Sequence, residues 1–134
     1  MNRAISIAAL ALLLILAATM TPTAQAADEN PALGKLRHVV LFAWKEGTPA
    51  AKIKEIEDGF RGLPAKIPAI ADFEWGTDCS VEGLADGFTH AFLVTFNTAK
   101  DREIYLPHPA HQAFVALLKP HLEKVLVIDY KAGK

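Results

Sequence analysis

A single cysteine, Cys79, means that no disulfide can close within this chain of 134 residues. Its core must therefore hold without covalent staples. The thiol is expected to be quiet and partly buried, with a bridge between two copies as the alternative. Blocks of Lys and Arg are missing as well, so nucleic acid is not an expected partner, because phosphate recognition needs clustered cations. There is no H-E-x-x-H pair and no cysteine pair, the spacings that most often mark zinc. No repeat or low-complexity tract interrupts the chain.

Long apolar runs are confined to the amino-terminal end. Arg3 is followed by Ile5 to Ala18, ISIAALALLLILAA, and then by Ala24-Gln25-Ala26. A positive start, a charge-free stretch and an A-x-A site together have the pattern of a secretory leader. The uncharged stretch from Ala4 to Thr19 is shorter than the roughly 20 residues a membrane span needs. Residues 1–26 are thus read as a cleaved leader, without stable membrane insertion afterwards. No twin-arginine pair and no lipobox cysteine accompanies it, so the protein is expected to be exported by the general route, to the periplasm or beyond the cell. Without Arg3 the 14 basic residues fall to 13 against 15 acidic ones, a net charge near −2. The remaining chain of 108 residues is small for one core, and association would help it.

Residues 27–35 are polar and turn-rich and read as a flexible linker; the folded domain is expected over 36–131. LRHVVLFAW, from Leu36 to Trp44, is strand-like and nearly all apolar. Thr48-Pro49 reads as a cap followed by proline at the first helical position, and Ile53, Ile56, Phe60 and Leu63 recur at helical spacing. Strands follow at Ile70 to Gly76 and Phe88 to Phe96. Asn97-Thr98 caps a helix to Tyr105, Pro107 breaks it and Pro109 starts another. A last strand covers Lys124 to Lys131. The order β-α-β-β-α-β favours an α+β fold, the ferredoxin-like plait: one antiparallel sheet with its helices on one face. The other face is then bare and largely apolar, and two copies are expected to pair through it as a homodimer that closes an α/β barrel.

The chemistry-bearing residues gather around YLPHPAHQAF, 105 to 114. Pro109 suits the first helical position, so His108 falls at the N-cap, where Ser, Asp or Asn would serve better. That mismatch suggests another role for His108. His111 lies in the first turn, where the helix dipole disfavours imidazolium and leaves a neutral base. Antiparallel pairing of the first and third strands brings His38 toward these two, with His90 farther off; His121 is expected at the surface. Three readings stay open: metal ligands, hydrogen-bonded groups in a packed interface, or acid–base groups acting on a small molecule. Neither a metal nor a cofactor is expected. Tyr105 can face the same space, with Val40, Phe42, Phe60, Phe73 and Phe92 as candidate apolar walls.

Five stretches together resemble the stress-responsive A/B barrel (Dabb) domain family: HVVLFAWKEGT at 38–48, FEWGTD at 73–78, GFTHAFLVTF at 87–96, YLPHPAHQAF at 105–114 and LVIDY at 126–130. The resemblance implies a ferredoxin-like fold and a dimeric α/β barrel. It does not by itself imply a reaction. Many members have a stress-linked or unassigned role. One branch performs aldol-type polyketide cyclisation with a Tyr and a His at positions matching Tyr105 and His111, and has histidine at those matching His38, His90 and His108. By that resemblance Tyr105 and His111 are the catalytic candidates, and a pocket for a small apolar or aromatic molecule is expected beside them. A non-catalytic assembly module is the remaining possibility. The leader, Pro107 and Pro120 depart from the cyclising branch, so its site geometry carries over and its substrate does not.

Overall fold

The computed structural model describes residues 31–133. The leader expected over 1–26 and the first part of the linker lie outside the described residues. Gly34 and Lys35, at the linker's end, are tied to Ala132 by backbone hydrogen bonds of 2.8 and 2.9 Å.

The elements are β1 (Leu36–Trp44), α1 (Ala50–Arg61), β2 (Asp72–Thr77), β3 (His90–Phe96), α2 (Ala99–Tyr105), α3 (Pro109–Leu118), a 3₁₀ turn (Lys119–His121) and β4 (Leu122–Lys131). The strands form one antiparallel sheet in the order β2-β3-β1-β4, the ferredoxin-like plait. Strand alternation then sorts the side chains. Leu36, Val40, Phe42, Phe92, Val94 and Phe96 share the helix-covered face and are buried. The opposite face carries Val39, Leu41, Leu93 and Ile128, which are half-buried to exposed.

α1 begins one residue later than the Thr48 cap implied. Pro49 holds the N-cap position with extended backbone, and the Thr48 hydroxyl instead donates to the Lys45 carbonyl at 2.7 Å. Proline's fixed φ suits either position, and the hydroxyl found a nearer acceptor. Ile56 and Phe60 are buried from this helix, and Leu63 and Ile67 from the turns after it. Phe60 is the centre of the core, stacked on Phe92 with ring centroids 4.6 Å apart and against Phe114 at the same distance. Burying one such ring contributes about 2–3 kcal/mol. α1 approaches α3 at Gly59, where a built Cβ would lie 3.5 Å from Phe114.

α2 starts with a full capping box: Thr98 Oγ1 accepts from the Asp101 amide and Asp101 accepts from the Thr98 amide. β2 and β3 each start two residues later than the sequence expectation, because the strand-like Ile70 and Phe88 lie in the connections before them, and β4 starts two residues earlier, at Leu122. Cys79 is exposed, in the loop between β2 and β3, and not partly buried as expected. The loop's run of small and polar residues offers nothing to cover it. His121, expected at the surface, is half-buried. Among the described residues no helix is long and apolar enough to cross a membrane.

Candidate active site

A cavity of about 360 Å³ opens between the sheet and α3. Its sheet wall is His38, Val40 and Phe42 from β1 with Val125 and Val127 from β4; α1 gives Phe60, and α3 gives His111, Phe114, Val115 and Leu118. Tyr105 and Leu106 close one end and Lys119 lies at the other turn of α3. The walls are overwhelmingly apolar, as in most small-molecule pockets.

The polar end is built by the helix break between α2 and α3. Pro107 and Pro109 supply no amide hydrogens there. The Ala110 amide, which would normally reach back to Leu106, is taken by the imidazole Nδ1 of His108 at 3.1 Å. The Leu106 carbonyl is therefore free to accept from His111 Nδ1 at 2.9 Å and from Gln112 Nε2 at 2.7 Å. A carbonyl only accepts, so His111 carries its proton on Nδ1 and keeps a lone pair on Nε2. Burial holds the His111 imidazole below its ordinary value of 6.5; the Leu106 carbonyl opposes that shift, and His38 and His108 reinforce it.

Tyr105 is fully buried, between Phe96 at 5.1 Å and His111 at 4.2 Å between ring centroids. Among the described residues its hydroxyl has no hydrogen-bond partner. Burial also pushes the phenol well above its ordinary value, so it remains an O–H donor. A buried hydroxyl left unpaired costs on the order of 1–3 kcal/mol. His38 stands edge-on to Tyr105 at 5.9 Å and is held from behind: its Nδ1 donates to Asp129 Oδ1 at 2.6 Å, and Arg102 donates to Asp129 Oδ2 at 2.7 Å.

The structure brings Tyr105, His111, His38, Val40, Phe42 and Phe60 to one cavity and leaves three candidates outside it. Phe73 and Phe92 do not line it. They lie on β2 and β3, where Phe60 stacks over them, whereas the cavity opens on the β1–β4 side. His108 does not line it either. It serves as the N-cap after all, because a neutral imidazole nitrogen can accept from the N2 amide as a hydroxyl would. His90 sits at the far end of β3, where Trp44 Nε1 donates to its Nδ1 at 3.0 Å and its Nε2 lies 2.9 Å from Glu57 Oε1. That network ties α1 to the sheet. Asp129 and Arg102 were missed by sequence reasoning. Asp129 was detectable as an acid inside an apolar strand, on the same parity as Val125 and Val127 and directly opposite His38. Among the described residues no group of three or more His, Cys, Asp or Glu is placed to hold a metal ion.

The profile of the stress-responsive A/B barrel (Dabb) domain matches residues 36–132. The chain belongs to the Dabb family. Among its Dabb relatives, the stress-response A/B barrel domain-containing protein HS1 of Arabidopsis thaliana is 41% identical over 100 residues, 75% of this chain and 92% of that one. Olivetolic acid cyclase of Cannabis sativa is 30% identical, over 74% of this chain and 98% of its own. Of solved structures, hydroxynitrile lyase from Passiflora edulis superposes with a TM-score of 0.72 at 30% identity, over 78% and 97% of the two chains. A ferredoxin-like protein from Bacteroides fragilis, described as dimeric, superposes at 0.61 with 26% identity, over 74% and 97%.

Proposed function

We propose that this Dabb protein binds a small, largely apolar carbonyl or hydroxyl compound in the cavity between β1, β4 and α3. One observation carries the reading: the Tyr105 hydroxyl is buried and has no partner among the described residues, and Tyr105 lines an apolar cavity beside His38 and His111. A ligand oxygen accepting from it would recover a hydrogen bond that the protein alone leaves unmade. A packed assembly module would have filled this space, so the open cavity favours binding over a purely structural role.

A second reading, acid–base catalysis, rests on the Tyr105–His111 pair. With a ligand carbonyl on the Tyr105 hydroxyl, His111 Nε2 would take a proton from the adjacent carbon. The enolate oxygen would keep the Tyr105 hydrogen bond, and the carbanion would be free to add to a second carbonyl. The names of two relatives, a cyclase and a hydroxynitrile lyase, are in keeping with carbonyl chemistry at such a site. The two readings separate on one variant. His111→Ala should keep affinity for a methyl ketone, and under the enzymatic reading it should lose the exchange of the ketone's α-protons with deuterated water. Exchange unaffected by the substitution would leave a binding protein.

The setting proposed is an exported homodimer. Support for export is the leader-like segment over 1–26. Support for the dimer is the sheet's uncovered apolar face, where Ile128 is 53% and Tyr130 46% exposed, together with relatives described as dimeric. Sedimentation of the chain from residue 27 onward as a monomer at micromolar concentration would contradict the dimer.

A further inference from the structure

The two ends of the cavity differ in charge. At one end stand Tyr105, His111 and His38. At the other, Lys119 caps the carboxyl end of α3. Among the described residues Lys119 is the one lysine or arginine that lines the cavity, and no aspartate or glutamate does. Among the described residues its ammonium has no ion-pair or hydrogen-bond partner.

We propose that Lys119 selects a ligand with an anionic head, so that the cavity takes a carboxylate-bearing amphiphile with its carbonyl or hydroxyl at Tyr105 and its carboxylate at Lys119. This rests on the binding reading above and narrows its substrate class. Three observations argue for it. First, the spacing is right for one elongated molecule. From His111 to Lys119 the helix rises roughly 12 Å, and the wall between is Phe114, Val115 and Leu118 with Val125 and Val127 facing them. An apolar body fits there and a second polar group does not.

Second, the positive end is reinforced. Lys45 Nζ donates to the Pro120 carbonyl at 2.9 Å, and the Lys45 amide donates to the His121 carbonyl at 2.9 Å. A second ammonium therefore stands beside the turn that Lys119 begins, and among the described residues neither has an acidic partner. Cations at a helix carboxyl end complement the dipole, which accounts for a charge there but not for its position on the cavity wall. Third, the Tyr105 end suits an anion poorly. Asp129 already places a carboxylate 2.6 Å from His38, and burial keeps His111 toward its neutral form. A neutral oxygen fits that end, which leaves Lys119 for the negative group.

A lysine stem also lines apolar walls simply by reaching past them to water. The test must therefore remove the charge and keep the stem. Two probes are titrated calorimetrically into the full folded domain: a keto acid about ten carbons long, with the groups at opposite ends, and the methyl ketone of equal length without the carboxylate. The wild type should bind the keto acid more tightly than the ketone, with a preference that shrinks as salt is added. Lys119→Met should weaken the keto acid by about three- to fivefold, the scale of a partly exposed ion pair, and leave the ketone unchanged. Lys119→Glu should weaken the keto acid further. Equal keto-acid affinity in all three proteins, with the ketone still bound, would overturn the role of Lys119 while leaving the cavity reading intact. Failure of both probes to bind the wild type would overturn both.

Discussion

Tyr105 and His111 meet with ring centroids 4.2 Å apart across the break that Pro107 makes between α2 and α3. One brings a hydroxyl without a partner among the described residues, the other a ring nitrogen whose counterpart is fixed to the Leu106 carbonyl. The break is what joins them. An unbroken helix would satisfy Leu106 internally and leave His111 without its anchor.

The first prediction concerns that hydroxyl. Tyr105→Phe should stabilise the ligand-free protein by roughly 1 kcal/mol, since it removes a buried donor that makes no bond. The same substitution should weaken ligand binding. Urea midpoints measured without ligand check the first part. A destabilised variant would mean that the hydroxyl already has a partner.

Asp129 should behave oppositely. Asp129→Ala takes away the acceptor of both His38 and Arg102. The expected loss is about 1–3 kcal/mol, the range for hydrogen bonds to charged groups less the solvent access the site retains. Thermal unfolding with the single variant and with Asp129→Asn, which keeps one acceptor oxygen, should rank Ala below Asn below wild type.

Acidification should expose His111. Its value in the folded protein lies below the ordinary 6.5, chiefly because burial strips water from the imidazolium. A group depressed on folding contributes stability that is fully present above its unfolded value and lost as pH falls through the folded one. The stability difference between wild type and His111→Gln should therefore shrink as pH is lowered from about 6.5. Denaturation series at several pH values read this directly, and a difference that stays constant would show that His111 does not titrate as described.

Gly59 offers a gain. It lies inside α1, where glycine costs roughly 0.5–1 kcal/mol relative to alanine. A methyl there would meet Phe114 at 3.5 Å and Leu117 at 3.6 Å, ordinary contact distances. Gly59→Ala should raise the unfolding midpoint by that amount of stability. In contrast Phe60→Ala, at the meeting point of Phe42, Phe73, Phe92 and Phe114, should cost about 3–5 kcal/mol.

Much of this was legible in the residues themselves. Antiparallel pairing of the first and third strands carried His38 to the end where Tyr105 and His111 stand. Alternation does not say which helix covers which part of a face. That is why Phe73 and Phe92, on the correct face, turned out to lie beneath Phe60 and outside the cavity. His108 was misjudged for a different reason: cap preferences describe hydroxyls and carboxylates, and a neutral imidazole can imitate them. Asp129 was visible as the acid of LVIDY but gained meaning only once β4 was known to pair with β1.

The central claim is that the unpartnered Tyr105 hydroxyl marks a binding cavity. Calorimetric titration of wild type and Tyr105→Phe with a neutral medium-chain methyl ketone tests it most directly. The account predicts saturable binding at one molecule per chain in the wild type, weakened about tenfold, on the order of 1.4 kcal/mol, in the variant. Equal affinity in the two proteins, or no binding to either, would contradict it.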